Sequence, residues 1–304
     1  MNSKVLQQRT LHSRAAGILK LSRWKEHILF TVPVTLLGVN MAADQHAVTL
    51  DWHILTVVAA NILAVTCAFM INDIEDAPDD AGDPARAARN PVTMNEISRR
   101  EGWVATHVIA LLSLALYAWV STGAFVIGAL TIVLSYLYSW RAVRLKARPL
   151  VDVLSHVLML AGLLFLAGYY AYDDQPGNVW LVALGVALVS VYGQLYNQVR
   201  DYDMDRAAGL HNTASILGPV WMRYTMYGSI GLAVLCLLIT IFLGLWPLWL
   251  ILVPVIMSPL LFFYRPQNDM RGTEAIDLSG RIQLGFMFIA NAAVLIWLIA
   301  NLLD

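Results

Sequence analysis

The sequence predicts an all-α, polytopic membrane protein, and three observations predict it. Hydrophobic residues make up 59% of the 304 positions and charged ones only 13%, more apolar than a globular surface accommodates. Nine apolar runs approach the roughly 17 to 25 residues that cross a hydrocarbon core. All 20 Lys and Arg then fall on one side of the topology that nine spans impose. The chain reads as a single domain over residues 1–304.

From the N-terminus the runs lie near 27–43, 54–72, 103–120, 124–139, 152–172, 179–198, 224–243, 246–264 and 284–302. Before the first stands a basic lead with Lys4, Arg9, Arg14, Lys20, Arg23 and Lys25. No small-residue cleavage site follows it, so the first run is expected as a retained helix and not a signal peptide. The second run leads into Asn72-Asp73-Ile74-Glu75-Asp76-Ala77-Pro78-Asp79-Asp80, where Pro78 removes a backbone donor and crowds the preceding turn. The helix is therefore expected to kink or end near Glu75 to Ala77, leaving Asp80 in a loop. Asp83-Pro84 reads as an N-cap with proline at the first helical position, opening a short surface helix over 84–90. Ser121-Thr122-Gly123 separates the third and fourth runs, and Gly244 to Pro247 the seventh and eighth. The sixth leads into Asn197-Gln198-Val199-Arg200-Asp201-Tyr202-Asp203-Met204-Asp205, a cluster without an internal breaker. Gly209 is its natural stop.

With the N-terminus inside, the remaining basic residues all stand on the cytoplasmic side: Arg86, Arg89, Arg99, Arg100, Arg141, Arg144, Lys146, Arg148, Arg200, Arg206, Arg223, Arg265, Arg271 and Arg281. The positive-inside rule then places the N-terminus and both acidic clusters in the cytoplasm and the C-terminus outside. The outer loops carry acids, Asp44, Asp51, Asp173 and Asp174. A net charge of −1, with its basic part spread along one membrane face, offers no nucleic-acid patch. Cys67 and Cys236 are the two cysteines, both inside apolar runs. A disulfide scaffold and a Cys-based zinc site are thereby excluded, and both residues are expected to pack.

The acidic clusters share one spacing. Asn72, Asp76 and Asp80 stand four apart, as do Asn197, Asp201 and Asp205, so N-x3-D-x3-D occurs twice. Each copy ends an even-numbered run and precedes small and basic residues, Asp83-Pro84-Ala85-Arg86 and Arg206-Ala207-Ala208-Gly209. Duplication and selection on shared chemistry both explain such an echo. On a helix, residues four apart stack on one face, so each triad becomes a column of one amide and two carboxylates.

Like charges at about 4 Å repel by about 4 kcal/mol per pair at an effective dielectric near 20, so clustered acids need cations. Acids at the mouth of membrane helices are functional candidates by default. Solvated loop acids would explain one cluster; two of matched spacing on one face point to a site. Magnesium suits them, since it takes hard oxygen ligands and combines a few carboxylates with waters and substrate phosphates. Lys146, Arg144, Arg148, Arg86, Arg89 and Arg23, on the same face, are suited to the remaining phosphate charge.

With these motifs the chain resembles the UbiA superfamily of intramembrane prenyltransferases over nearly all its length. The family's first signature, N-D-x-x-D-x-x-x-D, is matched by Asn72, Asp73, Asp76 and Asp80, and its second, D-x-x-x-D, by Asp201 and Asp205 with Arg206 following. The resemblance implies nine transmembrane helices around a central cavity with a cytoplasmic cap, in a prokaryotic plasma membrane. It implies that Asn72, Asp73, Asp76, Asp80, Asp201 and Asp205 hold a pair of magnesium ions and, through them, the diphosphate of a prenyl donor. Asp76, Asp80, Asp201 and Asp205 are thus the expected catalytic acids. Asn72, Asn197, Lys146, Arg86, Arg89, Arg144, Tyr138 and Arg23 are the expected diphosphate contacts. The family's tyrosine and lysine around the loop after the fourth helix are matched by Tyr138 and Lys146, eight apart where the family spaces them by four.

The reaction so implied is magnesium-dependent transfer of a prenyl group from a prenyl diphosphate to a hydrophobic or aromatic acceptor in the bilayer. A cavity between helices would keep water from the allylic cation, and aromatic faces would steady it by about 0.5 to 2 kcal/mol each. The supply is ample, with 10 Trp, 12 Tyr and 9 Phe. Two alternatives stay open: a terpene cyclase or synthase on the same scaffold, which needs no acceptor, and a cation transporter, against which stands the gathering of the acids at one face. Asp152 and His156, four apart, read as a hydrogen-bonded interface pair or as groups that orient or deprotonate an acceptor. Asn61, Asn291 and Gln194 read as interhelical hydrogen-bonding groups. Glu75, Asp79 and Asp203 fall off the shared spacing.

Overall fold

In hydrocarbon every backbone donor must find its acceptor within the structure, and a helix does so within its own segment. The computed structural model is helical accordingly, with no strand among the described residues, which are 11–46, 49–175, 177, 179–207, 209–261 and 281–303. Lys4, Arg9, Ala208, Arg265, Arg271 and the end of the eighth expected run lie outside them. The helices are α1 (Leu11–Leu21), α2 (Trp24–His46), α3 (His53–Asp80), α4 (Pro84–Arg89), α5 (Arg99–Val120), α6 (Thr122–Ser139), α7 (Val151–Val157), α8 (Leu163–Tyr169), α9 (Val179–Arg200), α10 (Tyr202–Ala207), α11 (Thr213–Phe242), α12 (Leu252–Met257) and α13 (Arg281–Leu303). A π-helical turn, Leu158–Gly162, joins α7 to α8 into one span.

Among the described residues, seven helical segments are long and apolar enough to cross a membrane: α2, α3, α5, α6, α7 with α8, α9 and α11. The eighth expected run is instead short pieces, a 3-10 turn at Leu248–Ile251, α12, and a second 3-10 turn at Ser258–Leu261. The ninth falls on α13. The narrow break expected between the third and fourth runs is real, and Ser121 serves both helices. Its backbone N–H closes α5 on Tyr117 O, and its hydroxyl caps α6 by accepting from Ala124 N. Within the described part of the basic lead, Leu11–Leu21 form helix α1, tied by Lys20 to Glu96 and by Arg14 to Glu101. The seventh run begins earlier than expected, at Thr213, and turns sharply where Gly218 takes φ 70° before Pro219.

Small residues and buried amides hold the helices together, as expected where lipid gives no hydrophobic drive for helix association. At the α2–α8 crossing a Cβ on Gly38 would stand 2.1 Å from Phe165 O and one on Gly168 2.2 Å from Thr35 O. Only glycine lets these backbones approach so closely. One turn away Asn61 donates to Thr35 Oγ1 (2.7 Å) and Leu164 O (2.9 Å) and accepts from the Tyr117 hydroxyl, so one amide ties α3 to α2, α8 and α5. Asn291 donates to Leu29 O at 2.9 Å and Asn40 to Val294 O at 3.0 Å, fastening α13 on α2. Gln194 bridges α9 to α6. All three amides read from the sequence as interhelical are so, and Cys67 and Cys236 are buried and free.

Two backbone expectations are corrected. α3 does not end before Pro78 but runs on to Asp80, so Asp80 is helical. Side chains from two loops bond carbonyls on either side of the proline turn: Asn90 Nδ2 donates to Asp73 O (2.7 Å), Thr93 Oγ1 to Ala77 O (3.0 Å) and, from the loop after α6, Arg141 Nε to Glu75 O (3.0 Å). The second triad, expected on an unbroken helix, spans a junction, because α9 stops at Arg200 and α10 starts at Tyr202. Asp201 N still reaches Asn197 O (3.0 Å) and Asp205 N reaches Asp201 O (2.9 Å), so the column survives the turn. Gly209 stops α10 as expected, at φ 70°, with Leu210 N donating to Asp205 O at 2.8 Å.

Candidate functional site

The ends of α3 and α9, with the loops that follow them, enclose a cavity of about 750 Å³. Asn72, Asp73, Asp76 and Asp80 line it from α3, and Asn197, Asp201 and Asp205 from α9 and α10. Arg23, Arg86, Arg89, Tyr138, Arg144 and Lys146 complete the wall, so every site residue singled out from the sequence lines this space except Arg148, which is exposed elsewhere. The surface helix α4 brings Arg86 and Arg89. Its N-cap is Asp83, whose carboxylate accepts from Ala85 N (2.8 Å) and Arg86 N (2.9 Å), with Pro84 at the first position as read from the sequence.

Charge repulsion within each triad is relieved by cations of the chain itself. In the first, Lys146 Nζ stands 2.5 Å from Asp76 Oδ2 and donates to Asn72 Oδ1 at 2.9 Å, while Ser139 Oγ donates to the same amide oxygen at 3.2 Å. Arg23 Nη1 donates to Asp73 Oδ1 at 3.1 Å, and Arg144 bonds Asp79 at 2.7 Å with Asp76 3.5 Å away. Arg23 and Arg144 both sit in the left-handed backbone region, at φ 47° and 45°. Such a conformation costs of order 1 to 3 kcal/mol off glycine and persists where the surroundings demand it; here it aims two guanidinium groups at one row of acids. Burial weakens the Arg23 charge, but Asp73 and Glu26 outweigh it and keep the group firmly protonated. Its guanidinium carbon also lies 4.8 Å from the centre of the Phe69 ring.

In the second triad Arg200 clasps Asp201 with Nε (2.9 Å) and Nη2 (2.8 Å) and donates to Asn197 Oδ1 at 3.3 Å. Arg86 reaches across from the first triad's own loop, 3.2 Å from Asp205 and 3.7 Å from Asp201. Asn212, the N-cap of α11, adds a bond to Asp205 Oδ2 at 3.0 Å. Burial pushes the Asp205 carboxyl above the usual carboxylate range; Arg86 pulls it back and Asp201 adds to the rise. Asn90 fixes Asp80 at 2.8 Å while tying down α3. Arg200, Asn90 and Asn212 were not among the residues read from sequence as site groups. For Arg200 the signal was there, a basic residue three after Asn197 and one before Asp201.

The acids off the shared spacing mostly hold structure. Glu75 takes Arg99 at 2.5 Å and Arg141 N at 3.1 Å, and Asp79 takes Arg141 and Arg144 while also lining the cavity. Asp203 is exposed. The expected bond between Asp152 and His156 is absent. Asp152, fully buried, accepts from Gln198 Nε2 (2.7 Å), Thr213 N (2.7 Å) and the Thr213 hydroxyl, which saturates it and knits α7, α9 and the start of α11. His156 lines the cavity with Nδ1 unpartnered, its ring 6.0 Å from Tyr138. The Tyr138 hydroxyl, expected near the diphosphate, accepts from Gln194 Nε2 at 3.1 Å.

No group of three or more His, Cys, Asp or Glu side chains among the described residues is gathered tightly enough to hold a metal ion alone. The donor set is nonetheless suited to magnesium, which binds through one or two carboxylates and completes its shell with phosphate oxygens and water. Hard oxygens stand on both walls of one cavity, and no thiolate lines it.

The chain matches the model of the UbiA prenyltransferase family over residues 31–300. It is 33% identical over 216 residues to the 4-hydroxybenzoate octaprenyltransferase of Albidiferax ferrireducens, covering 68% of this chain and 69% of that protein. It is 30% identical over 182 residues to the digeranylgeranylglyceryl phosphate synthase of Methanopyrus kandleri, covering 59% of this chain and 64% of that one. Among solved structures, a UbiA homologue from Archaeoglobus fulgidus bound to GPP and Mg2+ shares the fold, with a TM-score of 0.73 at 20% identity over 95% of this chain and 100% of that one. A family match over nearly the whole length, on a multi-pass helical fold held in common, makes this chain an integral membrane protein of the UbiA prenyltransferase family.

Proposed function

We propose that the protein transfers a prenyl group from a prenyl diphosphate to a hydrophobic or aromatic acceptor, with magnesium, inside the membrane. One observation carries this reading: two acidic triads and a set of Arg and Lys side chains face each other across one cavity, with Ala68, Phe69, Met159 and Leu160 lining the same space. The relatives are named for transfer to 4-hydroxybenzoate and for digeranylgeranylglyceryl phosphate synthesis, and the solved homologue was bound to GPP and Mg2+.

Asp73, Asp76, Asp80, Asp201 and Asp205, with the amide of Asn72, would hold a pair of magnesium ions, which when bound supply positive charge to the departing diphosphate. Lys146, Arg144, Arg86, Arg89 and Arg23 bind phosphate oxygens directly, since phosphate, like carboxylate, accepts charge-assisted hydrogen bonds from Lys and Arg. Asn72 and Asn197 orient Lys146 and Arg200 through the bonds to their side-chain oxygens. As the C–O bond of the donor breaks, its electron pair leaves with the diphosphate, the acceptor's electron pair forms the new bond to the allylic carbon, and the proton the acceptor gives up passes to the released diphosphate or to solvent at the cytoplasmic end of the cavity. The apolar part of the wall excludes water, which would otherwise capture the cation.

The finer topology belongs to the same proposal. The eighth and ninth expected runs, near 246–264 and 284–302, supply the remaining two crossings, and the apolar stretches Leu248–Met257 and Met287–Leu303 support them. α4, α10 and the segments that follow them cap the cavity on the cytoplasmic side, and the C-terminus lies outside. The test is purified protein with geranyl diphosphate, Mg2+ and 4-hydroxybenzoate or an alkylglycerol phosphate, with products read by mass spectrometry. Prenylated acceptor that disappears in Asp76→Ala and Asp201→Ala supports the reading. A cyclic hydrocarbon or alcohol formed from the donor alone would replace transfer by cyclisation.

A further inference from the structure

One part of the cavity is used by neither triad. Gln194 lies three residues before Asn197 on α9, and Phe69 three before Asn72 on α3, which is about 4.5 Å further along each helix, away from the acids. At this level the cavity is lined by Tyr138, His156, Gln194, Phe69, Met159 and Leu160, none of which carries a fixed charge. Of the wall's cations, Arg23, Arg86, Arg144, Lys146 and Arg200 pair with acids of the two clusters, and Arg23 also lies over the Phe69 ring.

Two polar groups in this tier have unspent bonding capacity. His156 Nδ1 is buried and no atom among the described residues bonds it. The Tyr138 oxygen accepts from Gln194 Nε2 at 3.1 Å, which leaves its own O–H free to donate. The rings of the two residues lie 6.0 Å apart. Buried polar atoms without partners are uncommon and costly, so a pair of them on one cavity wall asks for a ligand that bonds both. The backbone adds an independent sign. The π-helical turn Leu158–Gly162 begins two residues after His156 and carries Met159 and Leu160 on the same wall, and single π-turns inside α-helices occur frequently at functional sites.

We propose that this tier is the acceptor subsite and that it selects an acceptor by a neutral hydroxyl group held between His156 and Tyr138. The inference rests on the prenyl-transfer reading above and specifies its second substrate. A hydroxyl both donates and accepts, matching a neutral imidazole nitrogen on one side and a phenolic O–H on the other. A hydrocarbon or an ether would leave a donor or an acceptor of the protein unpaired. Met159, Leu160 and Phe69 then surround the body of the acceptor, beside the allylic carbon of a donor whose diphosphate is held at the triads.

The experiment uses full-length protein in lipid nanodiscs with geranyl diphosphate and Mg2+. The acceptors are methyl 4-hydroxybenzoate and its O-methyl ether, each with a ring C–H that the new C–C bond can replace. The expected result is that the phenol is prenylated with kcat/KM about tenfold or more above its ether. Tyr138→Phe and His156→Ala then raise the acceptor KM about tenfold and narrow that ratio, while the geranyl diphosphate KM stays within about twofold. His156→Gln, which keeps a donor and an acceptor, falls between the wild type and His156→Ala and guards against a variant that merely misfolds. An unchanged hydroxyl-to-ether ratio in these variants overturns the proposal, as does a change in the donor KM in place of the acceptor KM. So does a wild type that binds geranyl diphosphate with Mg2+ yet turns over no hydroxyl probe. Failure of the underlying reading is separate: geranyl diphosphate binding that is indifferent to Mg2+ and to Asp76→Ala.

Discussion

The two acidic triads have one spacing and opposite constructions. Asn72, Asp76 and Asp80 ride on a single helix of 28 residues, and their cations come from far along the chain, Lys146 and Arg144 from the loop after α6 and Arg23 from the joint before α2. Asn197, Asp201 and Asp205 bend around a helix junction, and the nearest cation, Arg200, belongs to the same turn. Yet in each the amide oxygen and the middle carboxylate share one cation, Lys146 in the first and Arg200 in the second. The repeated unit is thus a bonding pattern and not a copied backbone. A long-range cation makes the first triad depend on the assembled fold, whereas a local one lets the second form its ion pair as soon as α9 forms.

The largest test of this comparison removes the middle acids. Asp76→Ala and Asp201→Ala should each lower prenyl transfer by about a hundredfold or more, on the scale of losing a preorganised transition-state contact, with folding in detergent retained. Near-normal turnover in one of them would show that the triads are not equivalent. Next come the shared cations. Lys146→Met should raise the donor KM about tenfold, the size of one charge-assisted hydrogen bond of about 1.5 kcal/mol. Arg200→Met should cost less, about threefold, because Asp201 keeps Arg86 at 3.7 Å and exposed or shared pairs contribute little singly.

Arg86 sharpens the comparison further, since it rises from the first triad's loop to serve the second. In a double-mutant cycle Arg86→Met and Arg200→Met should be non-additive in donor KM, with a coupling of about 0.5 kcal/mol or more, because both face Asp201. Strict additivity would mean that Arg86 acts on Asp205 alone. The smallest effect belongs to the backbone. Thr93→Val removes the donor to Ala77 O beside Pro78 and should lower unfolding free energy by about 1 kcal/mol while leaving turnover within about twofold. A larger loss of activity would show that the last turn of α3 needs this bond to hold Asp80 in place.

Where local chemistry decides helix ends, the sequence read them correctly. Asp83 before Pro84 caps a short helix because both preferences act within one turn. Ser121 ends one span and starts the next for the same reason. The acids and amides of the triads, Lys146, Arg144, Arg86, Arg89, Arg23 and Tyr138 all line the cavity. Where the outcome turned on partners far along the chain, the reading failed. α3 runs through Pro78 where its turn is held by Asn90, Thr93 and Arg141, the last bonding Glu75 O from 66 positions along the chain. Asp152 faced four residues along to His156 on paper but is satisfied by Gln198 and Thr213 from other helices.

By itself, then, the sequence determined a multi-pass helical protein with two acidic triads of one spacing, because hydrophobicity and i, i+4 spacing are local properties that survive in any assembly. The tertiary structure alone decided which cation serves which acid, that the two columns meet across one cavity, and that His156 and Tyr138 keep free bonding capacity beside it. Those outcomes depend on how helices cross, and the crossings are set by contacts such as Gly38 on Gly168's helix, whose partners lie more than a hundred residues apart and leave no periodic mark in the chain.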